Sequence, residues 1–172
     1  MAVLFSTVGQ IVDNHYLSRD KTKTAMKNIV IVDIDGTISK VGDRLKYLTD
    51  FNPPDWDSFY EACDEDEPIQ EITNLVKVLS ENYSIVFCTG RRESVRIKTD
   101  LWLIEQFGIH YFPLIMRPDG DFRHDTEVKP EMLNKHGINL DEVAFVLEDR
   151  NSMVQKWREM GLKCLQVAEG DF

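Results

Sequence analysis

Two aspartates close an apolar run. In IVIVDIDGTISK, Ile29 to Lys40, Asp33 and Asp35 interrupt a strand-like pattern, and Gly36 and Thr37 follow directly. A second acidic pair, Glu148-Asp149, ends the apolar run EVAFVL. Carboxylates from two strand ends can hold a hard cation such as Mg2+, which favours carboxylate oxygen and retains several waters. A carboxylate beside such an ion can attack phosphorus and form an aspartyl-phosphate. A second carboxylate two residues on lies on the same side of an extended chain. There it can protonate a leaving oxygen and later take a proton from water. Hydroxyls, backbone N–H groups and a lysine can cradle the phosphoryl oxygens as charge spreads over them. Thr89, Gly90 and Arg91 follow the apolar run YSIVFCT, and Arg123, Asp125 and Lys129 follow YFPLIM through a loop.

Elements must bring these residues to one edge. NIVIVDI, YSIVFCT, YFPLIM, EVAFVL and KCLQV read as strands. Between them PIQEITNLVKVLSEN carries Ile69, Ile72, Leu75, Val76 and Leu79 at helical spacing. RESVRIKTDLWLIEQFG reads as a helix ended by Gly108. TEVKPEMLNKHG reads as one closed by Gly137, with Pro130 near its first turn, and NSMVQKWREMG as the last. Continuous apolar strands suit a sheet covered on both faces. The expected fold is α/β, a Rossmann-like doubly wound parallel sheet with helices on both faces and no large cap domain. Ligands in such sheets bind at the carboxyl ends of the strands, where the residues above fall. The long irregular stretch, about 39–67, reads as an insertion after the first strand.

The chain has 172 residues, enough for one core, and is 42% apolar and 29% charged, as in ordinary globular proteins. No apolar run reaches the roughly 18 residues of a membrane span, and the first residues lack the basic start of a signal peptide. A cytoplasmic location is expected, with Cys63, Cys88 and Cys164 as free thiols. A net charge of -10 argues against broad nonspecific nucleic-acid binding. A local basic pocket for one end of a polymer remains compatible with it.

In order, DIDGT (Asp33 to Thr37), Thr89, Lys129 and Glu148-Asp149 resemble the four motifs of the haloacid dehalogenase superfamily of phosphotransferases. From about Asn28 to Phe172 the chain is also similar to the 3'-phosphatase domain of phage-type polynucleotide kinase/phosphatase enzymes. VDIDGTISK, Arg44 in GDR, TGRRES, the VK of EVKPEML, EDR, VQKWREMGLKC and LQVAEGDF carry this likeness. The resemblance implies a domain over 28–172, with 1–27 as an N-terminal segment of open status. It implies Asp33 as nucleophile and Asp35 as general acid/base. Arg44, Thr89, Arg91, Arg123, Asp125 and Lys129 would shape the phosphate pocket, with Thr37 and Gly90 beside them. Asp33, the Asp35 carbonyl and the Glu148-Asp149 pair would hold Mg2+. The substrate would be a phosphorylated nucleic-acid end or a nucleotide. Two departures stand out. Glu148 replaces the usual Asp, which leaves open which acid meets the metal. RRES carries an extra arginine, so Arg91 and Arg92 compete for the pocket. No GxxxxGK[ST] occurs in the chain. The expected activity is phosphatase alone, with any kinase or ligase step left to a separate partner.

Other residues have plainer readings. EACDEDE, Glu61 to Glu67, is expected to be a solvated face, and His124 a loop residue. Arg123 and Asp125 could simply pair with each other on the surface. Trp102 and Trp157 are expected in the core. Trp56, Phe59 and Tyr60 are expected to form a small satellite core within the insertion, base stacking being the alternative.

Overall fold

The computed structural model describes residues 27–108 and 112–170. The expected N-terminal segment lies outside these residues except for Lys27, as do Tyr111 and the last two residues.

The strands are β1 (Ile29–Val32), β2 (Ser84–Arg92), β3 (Leu114–Arg117), β4 (Val143–Arg150) and β5 (Cys164–Gly170). They form one sheet in the order β3-β2-β1-β4-β5, and every pairing is parallel. The helices are α1 (Lys46–Thr49), α2 (Trp56–Glu61), α3 (Gln70–Ser80), α4 (Arg96–Phe107), α5 (Asp125–Lys135) and α6 (Asn151–Glu159).

Period-two alternation splits the strand residues between two cores. Val30, Val32, Ile85 and Phe87 point to the face covered by Val76 of α3 and by Trp102, Leu103 and Phe107 of α4. Ile31, Val86 and Cys88 point to the face covered by Val128 and Met132 of α5 and by Met153 and Trp157 of α6. Both faces being dry there, β1 and the inner stretches of β2 and β4 are apolar, and burying a large side chain contributes roughly 1.5–3 kcal/mol. The result is the expected Rossmann-like α/β sheet. α4 ends at Gly108, and Gly137 follows α5. Pro130 sits further inside α5 than the spacing suggested.

The insertion is not irregular. It carries a 3-10 turn (Gly42–Leu45), α1 and α2, and Asp55 caps α2 by accepting from the Ser58 N–H at 3.0 Å. Cys63 is buried in the core on the α3–α4 face of the sheet, and Phe59 is buried against Arg44, Trp56 and Tyr60. The insertion is far smaller than a lid, and the described residues contain no large cap. The three cysteines are free and buried. Among the described residues no helix is long and apolar enough to cross a membrane.

Candidate active site

The carboxyl ends of β1, β2 and β4 meet at a cluster of buried charge. Asp33 follows β1, and its N–H donates to the Leu147 carbonyl of β4 at 3.0 Å. This locks the Asp33 backbone beside the Glu148-Asp149 pair. Lys129 reaches the cluster from α5, where its Nζ donates to Asp33 Oδ1 at 2.7 Å and to Glu148 Oε2 at 2.9 Å. Asp33 Oδ2 has no donor among the described residues.

The two acids of the β4 pair have different surroundings. Glu148 is held at both oxygens: Oε2 also accepts from Trp157 Nε1 at 3.5 Å, and Oε1 accepts from the N–H groups of Asp149 and Arg150 at 3.3 Å. The Asp149 side chain accepts from the Thr37 hydroxyl, at 3.1 Å on Oδ1. It is wedged between glycines. A Cβ on Gly36 would lie 2.2 Å from Asp149 Oδ2, and one on Gly170 would lie 2.7 Å from the same atom. Gly36 also has φ +83°, which a side chain disfavours. The glycine after the DID run is therefore required by both space and backbone.

Asp33, Glu148 and Asp149 each offer an oxygen, all within 4.8 Å of one another. Burial, then the Glu148 charge, push the Asp33 carboxyl up to about 7 against the pull of Lys129. Burial and Asp33 push Asp149 up to about 6. Three acids share one lysine, so the donor set is hard, anionic and under-neutralised. That is the chemistry a divalent cation such as Mg2+ satisfies.

Asp35 belongs to a second network. Burial alone would raise its carboxyl, but the Arg91 and Arg44 guanidiniums outweigh burial and hold it down at about 2. Arg91 donates to Asp35 Oδ1 through Nε at 3.0 Å and Nη2 at 2.7 Å, and Arg44 Nη2 donates to the same oxygen at 2.5 Å. Asp66 closes the network from behind. Its carboxylate accepts from Arg44 Nε at 2.8 Å, Arg91 Nη2 at 3.0 Å and the Ser39 hydroxyl at 2.6 Å. Trp102 Nε1 donates to the Asp66 carbonyl at 2.8 Å. Asp66 was expected on a solvated face; its side chain is instead buried between two arginines.

A third network holds Asp125. Arg117 donates to its Oδ1 and Arg150 Nη1 to its Oδ2, the latter at 2.9 Å. Lys129, Arg150 and Arg117 lower its carboxyl despite burial. Arg117 also donates to the Gly90 carbonyl at 3.2 Å and to the Arg123 carbonyl at 2.8 Å, fixing both loops. The simple surface pair of Arg123 with Asp125 does not form. Arg123 pairs with Asp121 and Glu131.

A cavity of about 690 Å³ opens over this edge. Asp33, Asp35, Gly90, Arg123, Asp125, Lys129, Glu148 and Asp149 line it. Thr37, Arg44, Thr89 and Arg91 lie behind its wall and are buried. Arg91, favoured as a pocket residue, therefore backs Asp35, and Arg92 takes the place on the lining. Arg117, Arg150, His124 and Phe122 also line the cavity and were missed or dismissed. Trp56, Phe59 and Tyr60 form a small aromatic cluster as expected, with Phe59 edge-on to both neighbours. The cluster nevertheless faces the cavity.

The model of the polynucleotide kinase PNKP phosphatase domain family matches residues 27–172. Two solved structures of Pnkp1 in complex with Rnl and Hen1 are similar to the chain. In one, identity is 29% and the TM-score 0.71 over 95% of this chain and 52% of Pnkp1. In the other, described as an RNA repair complex, identity is 30% and the TM-score 0.73 over 92% of this chain and 48% of Pnkp1. The chain thus spans about half the length of those proteins. A haloacid dehalogenase-like hydrolase from Streptococcus pneumoniae shares the fold, at 17% identity and TM-score 0.59 over 84% of this chain and 85% of its own. With the acids, lysine and arginines on one sheet edge, this chain belongs to the PNKP phosphatase-domain family and is a haloacid dehalogenase-type phosphatase.

Proposed function

We propose that the chain is a Mg2+-dependent phosphomonoesterase that removes the 3'-phosphate from polynucleotide ends through a phospho-aspartate. One observation carries the reading: Asp33 is gripped on one oxygen by Lys129 and open on the other, inside an acid triad that faces the cavity. Mg2+ held by Asp33, Asp149 and Glu148, with the Asp35 carbonyl beside them, would supply positive charge that favours their ionised forms and offsets phosphoryl charge.

Asp33 Oδ2 attacks phosphorus, and the bond from phosphorus to the 3'-oxygen breaks. Lys129, with the Gly90 backbone on the same cavity lining, offsets the charge that develops on the phosphoryl oxygens. Asp35 is held ionised by its two arginines before substrate arrives. A phosphate dianion beside it raises its carboxyl, so that Asp35 takes up a proton from solvent and donates it to the leaving oxygen. Asp35 then accepts a proton from the water that attacks the phospho-aspartate, and inorganic phosphate leaves. Arg44 and Arg91 act by holding Asp35. Arg123, Arg117 and Arg150 shape the basic side of the pocket around Asp125.

The Pnkp1 chains occur with Rnl and Hen1, one assembly being an RNA repair complex. This supports a polynucleotide end as substrate and a separate partner for any kinase or ligase step. The net charge of -10 favours a second reading, a nucleoside monophosphate phosphatase. A non-catalytic phosphate-binding module is disfavoured by the intact Asp33 and Asp35. The test is Mg2+-dependent phosphate release from a 3'-phosphorylated oligonucleotide, its 5'-phosphorylated twin, and 3'- and 5'-mononucleotides. Preference for the 3'-phosphorylated oligonucleotide is expected. Preference for mononucleotides would establish the second reading, and no release from any ester would overturn both.

A further inference from the structure

We infer that the cavity wall formed by Trp56, Tyr60, Arg92 and Phe122 binds the base of the nucleotide that carries the scissile phosphate. This rests on the phosphatase reading of the same cavity and adds a base subsite to it.

Trp56 is 45% exposed and Phe122 is 80% exposed, so neither is explained by packing. Trp56 stacks on Tyr60 with ring centroids 6.0 Å apart and planes 29° apart, which leaves a flat surface. Arg92 lies between two rings, its guanidinium 4.8 Å from the Tyr60 centroid and 5.3 Å from that of Phe122. It is anchored by a 2.8 Å ion pair to Asp57, so its plane is held in place before a ligand arrives. These residues come from three segments: α2, the end of β2 and the β3–α5 loop. All four line the same cavity as Asp33 and Lys129.

The occupant follows from the chemistry. A phosphate on Lys129 requires a dianion at one end of the cavity. Aromatic faces and a guanidinium plane at the other suit a flat π-system, since bases stack on both. A sugar phosphate lacking a base would leave the exposed rings uncovered. A purely apolar ligand would offer nothing to the charged end of the cavity that holds Asp33 and Lys129. A nucleotide satisfies both ends, and about 690 Å³ is within the range of small-molecule sites.

The test compares a nucleoside 3'-monophosphate with the same sugar phosphate lacking its base, in the wild type, Phe122→Ala and Arg92→Ala. The wild type should favour the base-bearing ester in kcat/KM. In Phe122→Ala that preference should fall roughly tenfold, within the range of base–aromatic stacking, and mainly through KM. Phe122 is exposed, so this variant should fold. Equal activity of the wild type on the two esters, or an unchanged preference in both variants, would overturn the base subsite. If the wild type hydrolyses neither ester, the phosphatase reading fails separately. Calorimetric affinities of the two esters then carry the same comparison: a base preference lost in Phe122→Ala supports the subsite, and equal affinities overturn it.

Discussion

Replacing Asp66 by asparagine separates two descriptions of the acidic run from Glu61 to Glu67. On a solvated face the change would move stability by no more than about 0.5 kcal/mol. In the structure the Asp66 side chain is 4% exposed and meets arginines whose side chains are 2% and 0% exposed. Without its charge, two buried guanidiniums share the single remaining carboxylate, Asp35. Breaking a buried pair from one side costs about 3–5 kcal/mol because a charge is left uncompensated. Asp35 stays in place here, and the asparagine oxygen can still accept one hydrogen bond. The loss should therefore fall at about 2–3 kcal/mol. Urea unfolding at pH 7 measures it as a lower midpoint at unchanged slope. Phosphate release should fall as well, because Arg44 and Arg91 position Asp35. A stability change below about 0.5 kcal/mol, the solvated-face limit, would refute the reasoning and return Asp66 to the surface.

Asp33→Asn should abolish phosphate release while leaving a folded protein, because Lys129 keeps Glu148 as partner; circular dichroism beside the release assay checks both halves. Metal-free protein should lose stability as pH rises from about 4 through about 7, because the raised carboxyls of Asp33 (about 7) and Asp149 (about 6) favour folding only while protonated. Mg2+ should restore melting temperature at pH 8 and do little at pH 5, and an equal effect at both would contradict the metal site. Asp35 behaves oppositely. Its carboxyl, held at about 2 against an ordinary 3.8, contributes roughly 2 kcal/mol above pH 4 that is lost as pH falls towards 2. Unfolding of Asp35→Asn should show less of that acid-side loss. Gly36→Ala should destabilise by at least about 1–3 kcal/mol from its positive φ alone and displace Asp149, so weaker Mg2+ binding by calorimetry should accompany the lower melting temperature.

The sheet was legible because both of its faces are buried. Strands covered on two sides must be apolar at every position, so IVIV, IVFC and AFVL could be recognised without partners. The insertion was harder to read. α1 spans four residues and α2 six, too short for helical periodicity to stand out from chance. Their stability comes from contacts distant in sequence, such as the Arg44 guanidinium 4.3 Å from the Phe59 ring centroid. The acidic run misled for the same reason. Local composition says solvated, and only the arrival of Arg44 and Arg91 from 22 and 25 residues away makes a buried Asp66 favourable.

At the site, the residues that line the cavity largely follow the strands. Arg117 ends β3 directly, whereas the residue expected in the pocket, Arg123, lies further along the loop. Arg117 fixes Asp125, the Gly90 carbonyl and the Arg123 carbonyl together, which no solvated arginine does. The choice between Arg91 and Arg92 was also within reach of parity. Ile85 and Phe87 share one face of β2, and Thr89 and Arg91 continue that odd-numbered row towards Trp102 and Asp35. Arg91 therefore had to point into the domain. What parity does not foresee is the register shift between Thr89 and Arg92, which interrupts the regular ladder. Past that shift Arg92 pairs with Arg117 of β3, and its side chain lies between Tyr60 and Phe122. The two arginines thus divide their work by one residue of register: the first holds an acid, and the second offers a flat cation to the cavity.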